Sequence, residues 1–293
     1  MSPRSEAAAA RRVRCREIRA EDADAVVDLL ARGFTTRPRE FWTRALARLA
    51  AHPTPPAYPK FGYLMEKSGT PVGVILLIFS AVGHGPEMAV RCSVSSWYVE
   101  PAYRGFATML TAHALRHNGA TYVDITPDPH TWPILKAQGW QQFCAGRFIA
   151  VPTLSGGSGA EVRRVTGRTR LDHLLPAAEA ELLRHHAEYG CLTTLCISGS
   201  EVAPFIFLPL RLMRVLPSAY LAYCRQVDDF ARFARPLGRF LAKSGVFFVE
   251  LDSDGPVPRL VGRYLGGAPK FYRGPERPAL GDIAYSERVM FGF

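Results

Sequence analysis

The sequence predicts a mixed α/β fold built twice, as two tandem copies of a mixed central sheet flanked by helices. Three observations carry this expectation. Short apolar, β-prone runs alternate with stretches of helical periodicity, the signature of a sheet covered by helices. Two blocks recur in the same order at nearly constant separation: SGTPVGVILLI from Ser68 matches SGSEVAPFIFL from Ser198, 130 residues on, and HALRHNGATYVDIT from His113 matches RFLAKSGVFFVELD from Arg239, 126 residues on. Such a period is a whole domain, far beyond the roughly 20 to 50 residues of a solenoid repeat. Between the copies lies LSGGSGAE, a flexible linker by composition. The expected organisation is a flexible basic N-terminus over 1–14, a first domain over 15–153, a linker over 154–161 and a second domain over 162–293.

Each element of the first copy has a local reason. REIRAEDADAVVDLLARGF opens with a short strand, then a helix with Asp22 or Asp24 near its start. EFWTRALARLA is a second helix. FGYLMEKSGTPVGVILLIF is a hairpin turning at Lys67 to Thr70 on Gly69. RCSVSSWYV is the next strand, ATMLTAHALRH a helix, and TYVDIT a strand. WPILKAQGW is a short helix with Pro133 in its first turn, and GRFIAVPTL closes the copy.

Composition narrows the partners. At 293 residues with 48% hydrophobic and 21% charged side chains, the chain is globular and long enough for two cores. The formal net charge of +10 favours anions: nucleic acid, an acidic membrane surface or phosphorylated small molecules, set against a diffusely basic surface. Six cysteines show neither CxxC nor a Cys/His spacing suited to zinc, so no metal is expected. The start has arginines without an apolar core, unlike a secretory signal, and PVGVILLIF and VAPFIFLPL are too short to cross a bilayer. A reduced, cytoplasmic protein with no membrane span is the expectation.

The chemistry centres on WYVEPAYRGFATML, Trp97 to Leu110, where a strand turns through Pro101 and Arg104-Gly105 into a helix. With the element order around it, this stretch resembles the GNAT (GCN5-related N-acetyltransferase) superfamily of acyl-CoA-dependent acyltransferases. The family's loop reads roughly R-G-x-G-x-G/A after a V-x-P strand end. Val99, Pro101, Arg104 and Gly105 match it, while Ala107 and Met109 stand where the family prefers small residues. The family's Y-x-x-x-G-F is met by Gly139 and Trp140 but has Leu135 at the tyrosine position.

The resemblance implies acetyl-CoA or another acyl-CoA as co-substrate. It implies contacts from Trp97, Tyr98 and Val99 to the pantetheine and from Tyr103, Arg104, Gly105, Phe106, Ala107, Thr108 and Met109 to the pyrophosphate. Free N–H groups over Gly105 to Thr108, at a helix start, would face the anion, and Arg104 adds a charge-assisted partner.

The second copy serves as an internal control. AYRGFATM aligns with DDFARFAR from Asp228, so Arg104 becomes Phe230, Gly105 becomes Ala231, and two carboxylates occupy the turn. They cap a helix well but repel pyrophosphate; the second copy is expected to have lost the cofactor.

Proton transfer has several candidates. His130, in TPDPHTWP, is of the residue type suited to proton transfer near neutral pH or is a loop histidine without duty. Tyr98 can protonate a leaving thiolate or is a packed strand aromatic. Asp128 fits a cap, Asp124 faces cleft or water, and Cys92 fits a buried structural thiol. GRYLGGAPKFYRGPERPALGD, Gly262 to Asp282, is either a loop over an anionic acceptor, with Arg263, Lys270, Arg273 and Arg277 as contacts, or a surface loop tying down the last strand. The leading expectation is acyl transfer to a small-molecule amine or sugar-linked acceptor. A non-catalytic tandem binding module and a Fem-like aminoacyl transferase using charged tRNA are the alternatives; no recognised nucleic-acid motif accompanies the latter.

Overall fold

A computed structural model describes residues 13–83, 88–157, 159–213 and 215–292. The basic N-terminal stretch, but for Val13 and Arg14, therefore lies outside the described residues. The described residues divide into two compact units: those within 13–82, 89–124 and 285–292 form the first, and Gly83, Met88 and those within 125–284 the second.

The first unit is a five-stranded sheet in the order β1 (Val13–Glu17), β2 (Gly62–Lys67), β3 (Thr70–Val82), β4 (Ala89–Val99), β5 (Ala120–Asp124). The first four run antiparallel in succession and β5 is parallel to β4. The β2–β3 turn has Ser68 and Gly69 at φ 51° and 80°, the two positive values a type I′ hairpin requires. Helices α1 (Ala23–Gly33) and α2 (Arg39–Ala51) bury Val26, Leu29, Leu30, Trp42, Leu46 and Leu49. These positions fall at three- and four-residue intervals, the apolar stripe of a helix on a core. Helix α3 (Ala107–Ala114) connects β4 to β5, and a C-terminal helix, Glu287–Phe291, completes the unit.

One charged cluster locks the sheet edge. Glu66 is buried and accepts from the guanidiniums of Arg14 and Arg16, the latter at 2.9 Å, while Arg16 also forks onto both oxygens of Asp22 at 2.6 and 2.8 Å. The hydrogen bond from Arg16 holds the Asp22 carboxyl below its usual range against the opposing effect of burial. Burial alone would raise Glu66, but Arg14 and Arg16 outweigh it and lower it too.

The second unit repeats the pattern and adds to it. After helix α4 (Trp132–Ala137) come β6 (Gln141–Ala150), β7 (Glu161–Val165), α5 (Ala177–Glu188), β8 (Leu192–Ser198), β9 (Glu201–Leu212), β10 (Leu216–Tyr223), α6 (Val227–Arg232), α7 (Ala234–Ala242), β11 (Phe248–Ser253) and β12 (Gly262–Arg273). Strands β7 to β10 are successively antiparallel and β11 is parallel to β10, as in β1 to β5. The remaining two follow in the order β12-β6-β11, with β6 antiparallel to both neighbours. The last strand of the first sequence copy thus lies between strands of the second. The physical boundary falls at 124/125 rather than within 154–161, because β6 makes its ladders with β11 and β12. The linker itself is tied down: Ser155 is fully buried, and its hydroxyl accepts from the Val261 N–H at 3.0 Å.

Gly262–Arg273, expected as a loop, is strand β12, and this corrects the earlier expectation. Gly266, Gly267 and Pro269 hide its alternation because they sit where the register with β6 slips. Lys270 is correspondingly no surface contact. Its Nζ donates to Tyr220 Oη at 2.5 Å and Asp252 Oδ2 at 2.8 Å, and all three residues are buried; Tyr220 in turn donates to Asp252 Oδ1 at 2.6 Å. The cysteines Cys92, Cys144, Cys191, Cys196 and Cys224 are buried free thiols, and burial pushes Cys144 up to about 11 and Cys196 to about 12. Among the described residues no helix is long and apolar enough to cross a membrane.

Two predictions rest on these clusters. Lys270→Met leaves Asp252 buried without its cation and should cost about 3–5 kcal/mol in urea unfolding, whereas Lys270→Met with Asp252→Asn recovers much of it. The carboxyls of Asp22 and Glu66 titrate lower in the folded state than in the unfolded one. Their stabilisation is therefore full above the unfolded values near about 4 and is lost as pH falls through the folded values. Arg16→Gln should lower stability at pH 6, and its deficit relative to wild type should shrink in denaturation curves taken toward pH 2.

Candidate functional site

The site grows from an irregularity in β4. Across β3–β4 the register runs Leu76↔Ser95 and then Val74↔Tyr98, so β4 carries an extra residue there, and Ser96 takes φ 50°. A bulge bends a strand and re-aims its backbone. On the other side, β4 pairs with β5 only as far as Ser93↔Val123, while β4 itself continues to Val99. Beyond Ser93 the two parallel strands therefore part, and among the described residues the backbone of Ser95 to Val99 has β3 as its only strand neighbour.

The second unit contains the same irregularity. Across β9–β10 the register passes from Phe207↔Leu221 to Ile206↔Tyr223, so Ala222 is extra, 126 residues after Ser96 and on the same offset as the sequence repeat. Strand β10 also outruns β11, whose last pair is Tyr220↔Glu250. There the opened edge is filled by the chain itself. The Cys224 N–H donates to Gly281 O at 2.8 Å, the Ile283 N–H donates to Ala222 O at 3.0 Å, and Tyr223 bridges to Asp282.

Around the first bulge, Trp97 has its indole N–H buried with no acceptor among the described residues. Such an unmet donor costs about 1–3 kcal/mol. The Tyr98 ring packs against the end of α1: its centroid lies 6.2 Å from that of Phe34, and a Cβ on Gly33 would fall 2.4 Å from Tyr98 Cγ. Val99 is buried, paired with Gly73.

The turn departs from expectation. Pro101–Phe106 is wound as a 3-10 helix that runs directly into α3. Its N–H groups reach back three residues: Tyr103 donates to Glu100 O at 2.8 Å, and Ala107 donates to Arg104 O. Helical winding thus starts at Pro101, and within the stretch Gly105 to Thr108, expected to offer free N–H groups, that of Ala107 is already engaged. Arg104, Gly105, Phe106 and Thr108 are exposed, with Tyr103, Ala107 and Met109 half-buried. Gly105 has neither a positive φ nor any atom within 4 Å of where a Cβ would stand, so the local fold does not require glycine there.

The remaining candidates are scattered. His130 lies in the second unit, exposed on the 3-10 turn Pro129–Thr131, where its backbone N–H donates to the capping Asp128 Oδ1 at 2.9 Å. It is not in the unit that holds Trp97 to Met109. Leu135, at the family's tyrosine position, is buried in α4. One polar group escaped the sequence entirely. Glu287, on the C-terminal helix and buried, accepts from Ser93 Oγ at 2.7 Å across a separation of 194 residues. Ser93 is the last β4 residue paired with β5, so this carboxylate stands where the strands begin to part. No local pattern in YSERVMFGF signals that placement.

No known family model matches the chain, and no curated protein matches it by sequence. Solved structures share its fold. A GCN5-related N-acetyltransferase from Anabaena variabilis aligns with TM-score 0.59 and 11% identity over 89% of this chain and 72% of that one. A second, from Kribbella flavida, aligns with TM-score 0.58 and 16% identity over 91% and 72%. A candidate acetyltransferase from Pyrococcus horikoshii aligns with TM-score 0.53 and 12% identity over 94% and 93%. At these identities the likeness is one of fold: the chain has the mixed α/β fold of GCN5-related N-acetyltransferases.

Two glycines separate structural from functional demand. Gly33→Ala drives a methyl into Tyr98 and should cost about 1–3 kcal/mol in thermal or chemical unfolding. Gly105→Ala meets open space and should leave stability unchanged or raise it by up to about 1 kcal/mol. A large loss for Gly105→Ala would mean that the fold, rather than a ligand, selects that glycine.

Proposed function

We propose that the chain is an acyl-CoA-dependent acyltransferase, with the thioester co-substrate taken up by the first unit and transferred to a small-molecule amine or sugar-linked acceptor. One observation carries the reading: the same bulged strand end occurs twice, and the chain closes it at Ala222–Cys224 yet leaves its counterpart at Ser95–Val99 without a further strand among the described residues. An extended amide-bearing chain such as pantetheine can ladder onto that edge, since backbone donors and acceptors need partners.

The residues fit such a group. Trp97 to Val99 present the strand edge, and the buried indole N–H of Trp97 offers a donor lacking an acceptor among the described residues. The exposed guanidinium of Arg104 can pair with pyrophosphate, and Gly105 leaves room for close approach. Binding by the N–H groups of Gly105 to Thr108 requires the 3-10 winding to loosen, which exchanges intramolecular bonds for bonds to an anion at a helix start. Tyr103, Phe106, Ala107 and Met109 then flank the phosphates.

The thioester supplies an activated acyl carbon. The acceptor's amine attacks it, the C–S bond breaks and the thiolate leaves. This chain's part is to hold the reactants close, to direct a bulge N–H at the carbonyl oxygen, and to move one proton from amine to thiolate. Tyr98 and His130 remain the sequence-derived candidates for the proton steps. Glu287, acceptor-only when ionised and at the parting of β4 and β5, is the candidate that geometry adds for receiving the amine or its proton.

Calorimetry with CoA, acetyl-CoA and longer acyl-CoAs tests the reading. At about 100 times its dissociation constant a ligand raises stability by roughly 2.7 kcal/mol, so a clear rise in melting temperature should accompany binding, and Arg104→Ala should weaken it at least tenfold. Absence of any CoA response would leave a non-catalytic binding module in its place, and a response indifferent to Arg104→Ala would put the cofactor elsewhere.

A further inference from the structure

The second unit carries an apolar fringe at one end of its sheet. The registers define that end. Strand β6 finishes at Ala150, paired with Val249 near the start of β11 and with Gly262 at the start of β12; β10 starts beside β11, and β9 ends beside the start of β10. Six of the nine large apolar side chains that stand exposed among the described residues gather here: Leu154, Met213, Val215, Leu216, Phe247 and Val261. Met213 is 81% exposed and Val215 67%, at the tip of the β9–β10 hairpin. That hairpin projects. Its flanking strands stop pairing at Leu192↔Phe207 on one side and Ser218↔Phe248 on the other, so Met213 stands about 20 Å beyond the last pair with β8 and Val215 about 10 Å beyond the last pair with β11, at about 3.3 Å per residue.

The described charges on the fringe's own segments have one sign. Arg211, Lys243, Arg259 and Arg263 are exposed on the same segments, and none has an ion-pair partner among the described residues. The stretches 209–217, 242–249, 256–265 and 151–157 contain no carboxylate, so these segments bring no negative side chain of their own to the four cations. A second copy of the chain is a poor occupant, because an isologous pairing would bring two such sets of cations together. An anionic surface that also accepts apolar side chains is the complementary partner.

We propose that this end of the second unit docks on anionic lipid headgroups, with the β9–β10 hairpin tip seated at the acyl boundary and the four cations on the phosphates. Apolar area plus attraction to anionic lipid is how a peripheral protein holds a bilayer without spanning it. The inference is independent of acyl transfer: it uses a different end of a different unit and needs no co-substrate.

The test is co-sedimentation of the full chain with vesicles of phosphatidylcholine alone and with about a third phosphatidylserine or phosphatidylglycerol. Binding should require the anionic lipid and fall several-fold between 0.1 and 0.5 M salt. Arg259→Glu and Arg263→Glu should each weaken it by roughly fivefold or more, Met213→Ser with Val215→Ser should abolish most of it, and Val215→Trp should tighten it, because tryptophan favours the bilayer interface. All these positions are exposed, and circular dichroism checks that the variants fold. Equal binding to neutral and anionic vesicles, no binding to either, or variants that bind as wild type would each overturn the proposal. So would sedimentation showing vesicle-free self-association that the same apolar variants abolish, since the fringe would then be an interface between copies.

Discussion

A strand held on one side and released on the other is the constraint on which this protein turns. Backbone N–H and C=O groups in a sheet interior need partners. Where β4 runs past Ser93, it keeps β3 and loses β5. The bulge at Ser96 fixes where the backbone swings, and α1, packed on Tyr98 through the missing side chain of Gly33, fixes how far. The second unit faces the same constraint at Ala222 and resolves it with its own Gly281 to Ile283. One fold thus contains both a closed and an open version of the same strand end, and the difference between them is the ground for assigning ligand binding to the first.

The glycines of the turn matter less than that edge. Gly105 adopts no conformation reserved for glycine, and the 3-10 winding of Pro101–Phe106 is compact in this state. A helix that spends its first N–H groups internally must give them up to hold an anion, so the energy of opening is set against the energy of binding. Arg104, exposed beside it, would under the proposed reading gain a partner on binding.

Much of the architecture was legible in the chain. The Ser-Gly hairpins, the helical stripe of α1 and α2 and the repeat offset of 126 residues all reappear as geometry, because each is a local or periodic signal. Three features were not legible, for physical reasons. Strand β12 hides behind Gly266, Gly267 and Pro269, residues that local rules assign to loops but that a register slip accommodates. The place of β6 between β11 and β12 depends on which ladder it completes, a choice that leaves no trace in its own ten residues. The expected domains of 15–153 and 162–293 therefore differ from the compact units, between which the chain passes at 124/125. Lys270 and Glu287 likewise owe their surroundings to partners far along the chain, Lys270 to Tyr220 and Asp252, Glu287 to Ser93.

Amide hydrogen exchange, followed peptide by peptide with and without saturating CoA, compares the two strand ends within one molecule. Slowed exchange over Ser95–Thr108 together with unchanged exchange over Leu221–Arg232 is the predicted result. Protection at the second strand end instead, or no change at either, would contradict the assignment of the open β4 edge as the cofactor's seat.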